Sequence, residues 1–275
     1  MISPPIPDGL DATLVLLRHG ESEWVREGRF QGQADPPLSS LGVRQAALAA
    51  RRLANPHESP PLPVPAARPV EIVHSPLSRT ARTAVIVRDA MSETAGPSSE
   101  PIPVRLDPGI MEIGQGDWEG QHHDDIMRRW GPELAAWRRR PTEAWAPGGE
   151  SLAQVQARVA PALRTILERL GDGRAPGTLD RSQVSGYQGT DPERSQPWSL
   201  LVGHDGVFKV VLLTLFGLPL ERFWMFSFVL CGISVVEIRA GRAVLVAPSL
   251  AEHLAPLLDE ASAEAAEGRA RSGAL

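Results

Sequence analysis

The chain has 275 residues, 42% of them hydrophobic, and a formal net charge of −5. This length and apolar content can build the core of one large domain, which excludes a chain disordered throughout. The mildly acidic balance argues against a dedicated nucleic-acid binder, which needs a basic face, and the single cysteine, Cys231, excludes an intramolecular disulfide.

The first element is a short apolar strand over residues 13–17, which ends at Arg18-His19-Gly20. Ser39 and Ser40 cap a helix reaching about Leu53, with Val43, Ala46, Ala47 and Ala50 at helical spacing. Residues 55–69 are proline-rich and form a loop. A second strand over 70–73 ends at His74-Ser75-Pro76, and a helix follows over 78–91. Residues 91–101 read as a polar loop and 104–106 as a third strand.

Residues 107–148 differ in character. They hold four of the seven tryptophans, Trp118, Trp130, Trp137 and Trp145, and read as short helices forming a cap. An amphipathic helix covers 151–170. Residues 171–197 lack an apolar period and read as a mobile insertion. A strand over 199–202 runs into Gly203-His204-Asp205-Gly206, and a buried helix spans 208–216. Residues 233–238 and 243–247 form a hairpin around Ala240-Gly241, and the tail over 260–275 is frayed or disordered.

The N-terminal residues 1–11 contain prolines and no apolar leader core, and no stretch reaches membrane-spanning length. A cytoplasmic protein with neither a membrane nor a nucleic-acid partner is expected. His122 and His123 are adjacent and point apart, so no metal-ligand cluster is read and no metal or cofactor is expected.

Several of these segments place phosphate-suited groups where a strand ends, the position at which open α/β sheets bind ligands. Arg18 offers a planar fork of donors, His19 can be neutral and nucleophilic, and Gly20 permits close approach. Arg79 lies in the first turn of the helix after the second strand, and His204 follows a later strand. Glu112 sits in the run Gly109 to Gly120 that includes Gly116-Asp117-Trp118-Glu119-Gly120.

Taken in order, these motifs resemble the histidine phosphatase superfamily, in its phosphoglycerate-mutase-like branch, over residues of about 13 to 250. The matching residues are Arg18-His19-Gly20-Glu21-Ser22, the segment from Phe30 to Leu38 with Gly42, Ser75-Pro76-Leu77 with Arg79 and Thr83, Glu112 with Gly116 to Gly120, Pro147 to Ser151, and Val202-Gly203-His204. The resemblance implies a three-layer α/β/α sandwich with a mainly parallel sheet and a helical cap. It also implies roles. His19 is the nucleophile, Arg18, Arg79 and His204 hold the phosphoryl group, and Glu112 is the general acid, with Asp117 and Glu119 as rivals. Ser22, Gln31, Gly32, Asp205 and Gly206 join Arg18 and Arg79 as expected substrate contacts. Glu21 reads as structural, and the run Arg138-Arg139-Arg140 as a solvated face.

Three positions depart from the family pattern. Val25 stands where asparagine is usual, Arg82 where glutamine is frequent, and Asp205 where glycine or alanine is common. Valine removes an amide from the pocket, which Ser22, Gln31 or a water can replace. A carboxylate at Asp205 repels phosphate unless it is paired or turned away.

The expected function is a metal-independent phosphomonoesterase acting on a small phosphorylated metabolite through phosphohistidine. Sugar phosphates, phosphoglycerate derivatives and α-ribazole phosphate are candidate substrates. One alternative is a phosphoglycerate-mutase-type phosphotransferase. The cofactor-dependent mutases carry a longer basic cap with lysine, whereas Lys209 is the only lysine here and lies outside the cap. The other alternative, prompted by Val25 and Asp205, is a catalytically weak phospholigand-binding protein.

Overall fold

A computed structural model describes residues 5–172 and 196–258. Its elements run β1 (Ala12–Arg18), α1 (Glu23–Arg26), α2 (Ser40–Ala54), β2 (Glu71–His74), α3 (Ser78–Ala95), β3 (Val104–Leu106), α4 (His123–Arg139), α5 (Leu152–Asp172), β4 (Trp198–Gly203), α6 (Asp205–Leu215), β5 (Ile233–Arg239) and β6 (Arg242–Leu250). One six-stranded sheet has the order β3-β2-β4-β1-β5-β6. The first four strands in that order pair in parallel, whereas β5 and β6 are antiparallel.

The expected three-layer architecture is borne out. Strand side chains alternate between faces. On β1, Leu14 and Leu16 enter the core shared with α5 and α6, while Val15 and Leu17 enter the core shared with α2 and α3. The α2 stripe Ala46, Ala49, Ala50 and Leu53 is buried against the second face. Ser39 caps that helix by accepting from the Gly42 N–H. No helix of the described residues is long and apolar enough to cross a membrane.

Several elements differ in extent from expectation. α3 continues one turn past Met91, because nothing before Gly96 breaks it, and Gly96 ends it at φ +82°. α4 is one long element broken at Trp130 (φ −134°), two residues before Pro132, which lacks the N–H that would bond back. Its buried residues Ile126, Leu134 and Trp137 join the α5/α6 core, as does Trp118. α6 starts at Asp205, three residues earlier than its apolar run suggests. The β5–β6 hairpin turns at Ala240 and Gly241, both at positive φ, as a two-residue turn requires. The expected insertion over 171–197 falls mostly outside the described residues, and the tail over 260–275 wholly so.

This topology places Arg18-His19, His74-Ser75 and Gly203-His204 side by side at the carboxyl edge of β1, β2 and β4. The chain leaving β3 reaches the same edge and carries Glu112.

Candidate active site

His19 leaves the end of β1 with its N–H donating to the Gly203 carbonyl at 3.0 Å. Its ring is buried, and Nδ1 lies 2.6 Å from the Gly20 carbonyl. A carbonyl only accepts, so Nδ1 carries the proton and Nε2 keeps its lone pair. Burial, then Arg79 and Arg18, hold the imidazole well below its ordinary pKa. His19 is therefore neutral near pH 7.

His204 follows β4 in the neighbouring register, also fully buried. Its Nε2 is 2.8 Å from Ser75 Oγ, and its Nδ1 is buried without a partner among the described residues. Burial, Arg79, His19 and Arg18 push its pKa down as well. A phosphate dianion entering beside it favours the protonated form and counteracts that shift.

Arg79 projects from the first turn of α3 and is completely buried. One terminal nitrogen donates to the Ala34 carbonyl at 2.8 Å and the other to the Gly32 carbonyl at 2.9 Å. Burial lowers its pKa to about 10 against the pull of Glu112, Asp35 and Glu119, which leaves it cationic at neutral pH. Arg18 donates to the Phe228 carbonyl at 2.6 Å. The Nε atoms of both arginines are buried and unpartnered. Together with His204 Nδ1 they form a set of orphaned polar atoms around His19, suited to a tetrahedral oxyanion.

Glu112 is half-buried. Its Oε1 accepts from the Ile113 and Val207 N–H groups, each at 2.9 Å, and its Oε2 from Gly206 N–H at 3.2 Å. The Gly206 and Val207 donors are free because they open α6, where no earlier turn exists to accept them. Burial raises the Glu112 pKa and nearby Asp205 adds to this, while the hydrogen bonds from Ile113 and Gly206 and the charge of Arg79 oppose it.

The rivals stand elsewhere. Asp117 is exposed. Glu119 accepts from the Gln33, Gln115 and Ala34 N–H groups at 2.8, 2.9 and 3.0 Å. It pins the loop whose carbonyls at Gly32 and Ala34 hold Arg79.

The expected substrate contacts divide. Ser22 Oγ donates to Gln31 Oε1 at 2.5 Å and accepts from Val25 N–H at 3.2 Å, so it is committed within the protein. The Gln31 amide nitrogen has no partner among the described residues. Gly32 serves through its carbonyl. A Cβ on Gly206 would lie 2.7 Å from Glu112 Oε1, so a larger residue there displaces the Glu112 carboxyl group. Asp205 accepts from Lys209 Nζ at 2.6 Å and from Phe228 N–H at 3.2 Å. Both its oxygens are engaged within the protein. Glu21 accepts from Ser39 Oγ at 2.7 Å, in keeping with a structural role.

Sequence reasoning missed Arg158, Lys209 and Gln33 as supports of the site. Arg158 on α5 donates to the carbonyls of Gly109, Met111 and Glu112 at 3.0, 2.7 and 2.9 Å, and to both oxygens of Glu150. Gln33 Nε2 donates to the Glu112 carbonyl at 3.0 Å and to Glu150 Oε2 at 2.9 Å. Gln33 and Glu150 lie within the motifs quoted above, but nothing in the spacing marks Arg158.

The sequence profile described as Histidine phosphatase superfamily (branch 1) matches residues 14–175 and 187–250. Phosphoserine phosphatase 1 of Hydrogenobacter thermophilus is 28% identical over 252 residues, covering 90% of this chain and 97% of that one. A 2,3-bisphosphoglycerate-dependent phosphoglycerate mutase of a Methylobacterium species is 33% identical over 210 residues, covering 73% of this chain and 92% of that one. The solved structure of a mycobacterial glucosyl-3-phosphoglycerate phosphatase in complex with VO3 superposes with a TM-score of 0.66 at 27% identity, covering 86% of this chain and 98% of that one. On its fold, its ordered motifs and this match, the chain belongs to the histidine phosphatase superfamily, branch 1.

Proposed function

We propose that the protein is a cytoplasmic, metal-independent phosphomonoesterase that hydrolyses a small phosphorylated metabolite through phosphohistidine on His19. The observation that carries this reading is the protonation pattern of His19. Its Nδ1 is committed to the Gly20 carbonyl, and its neutral Nε2 stands among Arg18, Arg79 and His204. Its relatives named as a phosphoserine phosphatase and a glucosyl-3-phosphoglycerate phosphatase support a small phosphate ester as substrate.

Nε2 attacks phosphorus, and the P–O ester bond breaks as the N–P bond forms. Arg18, Arg79 and His204 spread the charge of the equatorial oxygens, which is most of what phosphoryl transfer asks of a protein. Glu112, with its raised proton affinity, protonates the departing alkoxide. The resulting carboxylate takes a proton from water, the hydroxide attacks phosphorus, and the N–P bond breaks to release phosphate. The segment 107–148 caps the site in this reading and governs access to it.

A mutase reading has one specific support, the similarity to the Methylobacterium mutase. There the phosphoryl group returns to a bound sugar acid instead of water.

The test is hydrolysis of p-nitrophenyl phosphate with chelator present, wild type beside His19→Ala. Turnover in the wild type, lost by at least about 10³-fold in the variant, supports the reading. Acid-labile phosphate trapped on the wild type alone identifies the intermediate. Equal turnover by both proteins overturns the assignment. Transfer between positions of phosphoglycerate without net hydrolysis favours the mutase.

A further inference from the structure

Arg18 and Arg79 are held very differently. Arg79 has two backbone acceptors at the ends of its fork. The Arg18 side chain has a single hydrogen bond among the described residues, to the Phe228 carbonyl at 2.6 Å. Its orientation in the pocket therefore depends on where one peptide group sits, 210 residues away in the chain.

That carbonyl shares its peptide group with the Val229 N–H, which donates to Ser249 Oγ at 2.9 Å, and the preceding peptide group is fixed as well. The Phe228 N–H donates to Asp205 Oδ1 at 3.2 Å. Asp205 Oδ2 in turn meets Lys209 Nζ at 2.6 Å, one helical turn along α6. The lysine side chain is 6% exposed, so its charge has little access to water and depends on this partner. Its Nζ also lies 5.3 Å from the Phe223 ring centre and 5.0 Å from that of Trp224, which ties it to the segment leading into Phe228. The Phe228 ring packs on Phe208 of α6 with 5.4 Å between centroids.

We propose that Asp205, charge-balanced by Lys209, is a positioning residue that sets Arg18 on the phosphate through the backbone on either side of Phe228 Cα, rather than a substrate contact. This rests on the phosphatase reading of the pocket. It explains how a carboxylate is tolerated next to His204, since Lys209 neutralises it and both its oxygens are turned to protein donors. It also gives the only lysine of the chain a role.

A role confined to stabilising the start of α6 would predict a loss indifferent to Arg18. The test is a double-mutant cycle on Asp205→Ala and Arg18→Ala, read by calorimetric Kd for inorganic phosphate and by kcat/KM for p-nitrophenyl phosphate. The Kd needs no turnover. In the wild-type background Asp205→Ala is expected to weaken phosphate binding and lower kcat/KM by about 10- to 100-fold, the scale of an ångström of misplacement. In the Arg18→Ala background the same substitution is expected to cost less than about twofold.

The double variant Asp205→Asn/Lys209→Met keeps an acceptor for Phe228 and leaves no orphaned charge. It is expected to recover at least about threefold of the loss, and it guards against misfolding of Asp205→Ala. Equal losses in both Arg18 backgrounds overturn the proposal while leaving the phosphatase reading intact. Wild-type phosphate affinity and turnover in Arg18→Ala alone would overturn the pocket assignment, and the proposal with it.

Discussion

The His19 and His204 rings meet edge to face with 5.0 Å between centroids and 64° between planes. They meet because β1 and β4 are parallel neighbours with Arg18 paired to Gly203, so the next residue on each strand arrives at the same point. Both are buried close to two guanidinium groups, and both have lowered pKa values for that reason.

This pair makes the protein acid-sensitive. As pH falls below the ordinary histidine value of about 6.5, the unfolded chain takes up protons that the folded chain refuses. Each imidazole then removes up to about 1.4 kcal/mol of stability per pH unit, until its lowered folded value is reached. Glu112 works in the opposite sense. Its raised value favours the folded state in acid, and that contribution is lost as pH rises through it. Urea midpoints are expected to fall between pH 7 and pH 5. The fall should be shallower in His204→Asn and steeper in Glu112→Gln. A His204→Asn slope equal to wild type would rule this account out.

Glu112→Gln keeps the side-chain shape but cannot supply a proton. For an alkyl phosphate, whose alkoxide leaves poorly, kcat is expected to drop by about 10² to 10⁴. For p-nitrophenyl phosphate, whose phenolate leaves unaided, the drop in phosphorylation should be far smaller. Rapid-quench measurement of both substrates checks this, and equal losses would remove Glu112 from the acid role.

Gly206→Ala probes the seat of that carboxyl group. The added methyl would stand 2.7 Å from Glu112 Oε1 and 2.9 Å from Ile113 Cδ1. Glu112 must shift, so kcat is expected to fall at least about tenfold, with overpacking costing about 1–3 kcal/mol. Denaturation and steady-state kinetics on the same preparation separate the two. Unchanged kcat would mean that Glu112 is not held as described.

Arg158→Met removes the clamp under the acid loop. Three carbonyls lose their charged donor and Glu150 loses its counter-ion. A loss of about 2–4 kcal/mol in stability is expected, with kcat falling more than KM rises. If kcat holds while stability drops, Arg158 supports the fold and not the acid.

The parts of the site legible in the sequence are those written in adjacent residues. Arg18-His19 at a strand end, Arg79 in a helical first turn and His204 at another strand end each carry a local pattern. The Ser39 cap and the Ala240-Gly241 turn are local in the same way. Glu112 could be preferred to Asp117 and Glu119 along the chain, but its surroundings could not be read there. In three dimensions Glu119 is consumed by backbone donors and Glu112 meets the opening of α6.

The amino-acid order by itself determined the elements, the two faces of the sheet and the candidate reacting groups, because periodicity, capping and turn chemistry act over a few residues. Only the tertiary structure decided which protons those groups keep and what holds them in place. Arg158 beneath Glu112, and Asp205 with Lys209 behind Phe228 and Arg18, depend on sheet order and register. These set distances between residues up to 210 positions apart, and no local pattern encodes such distances.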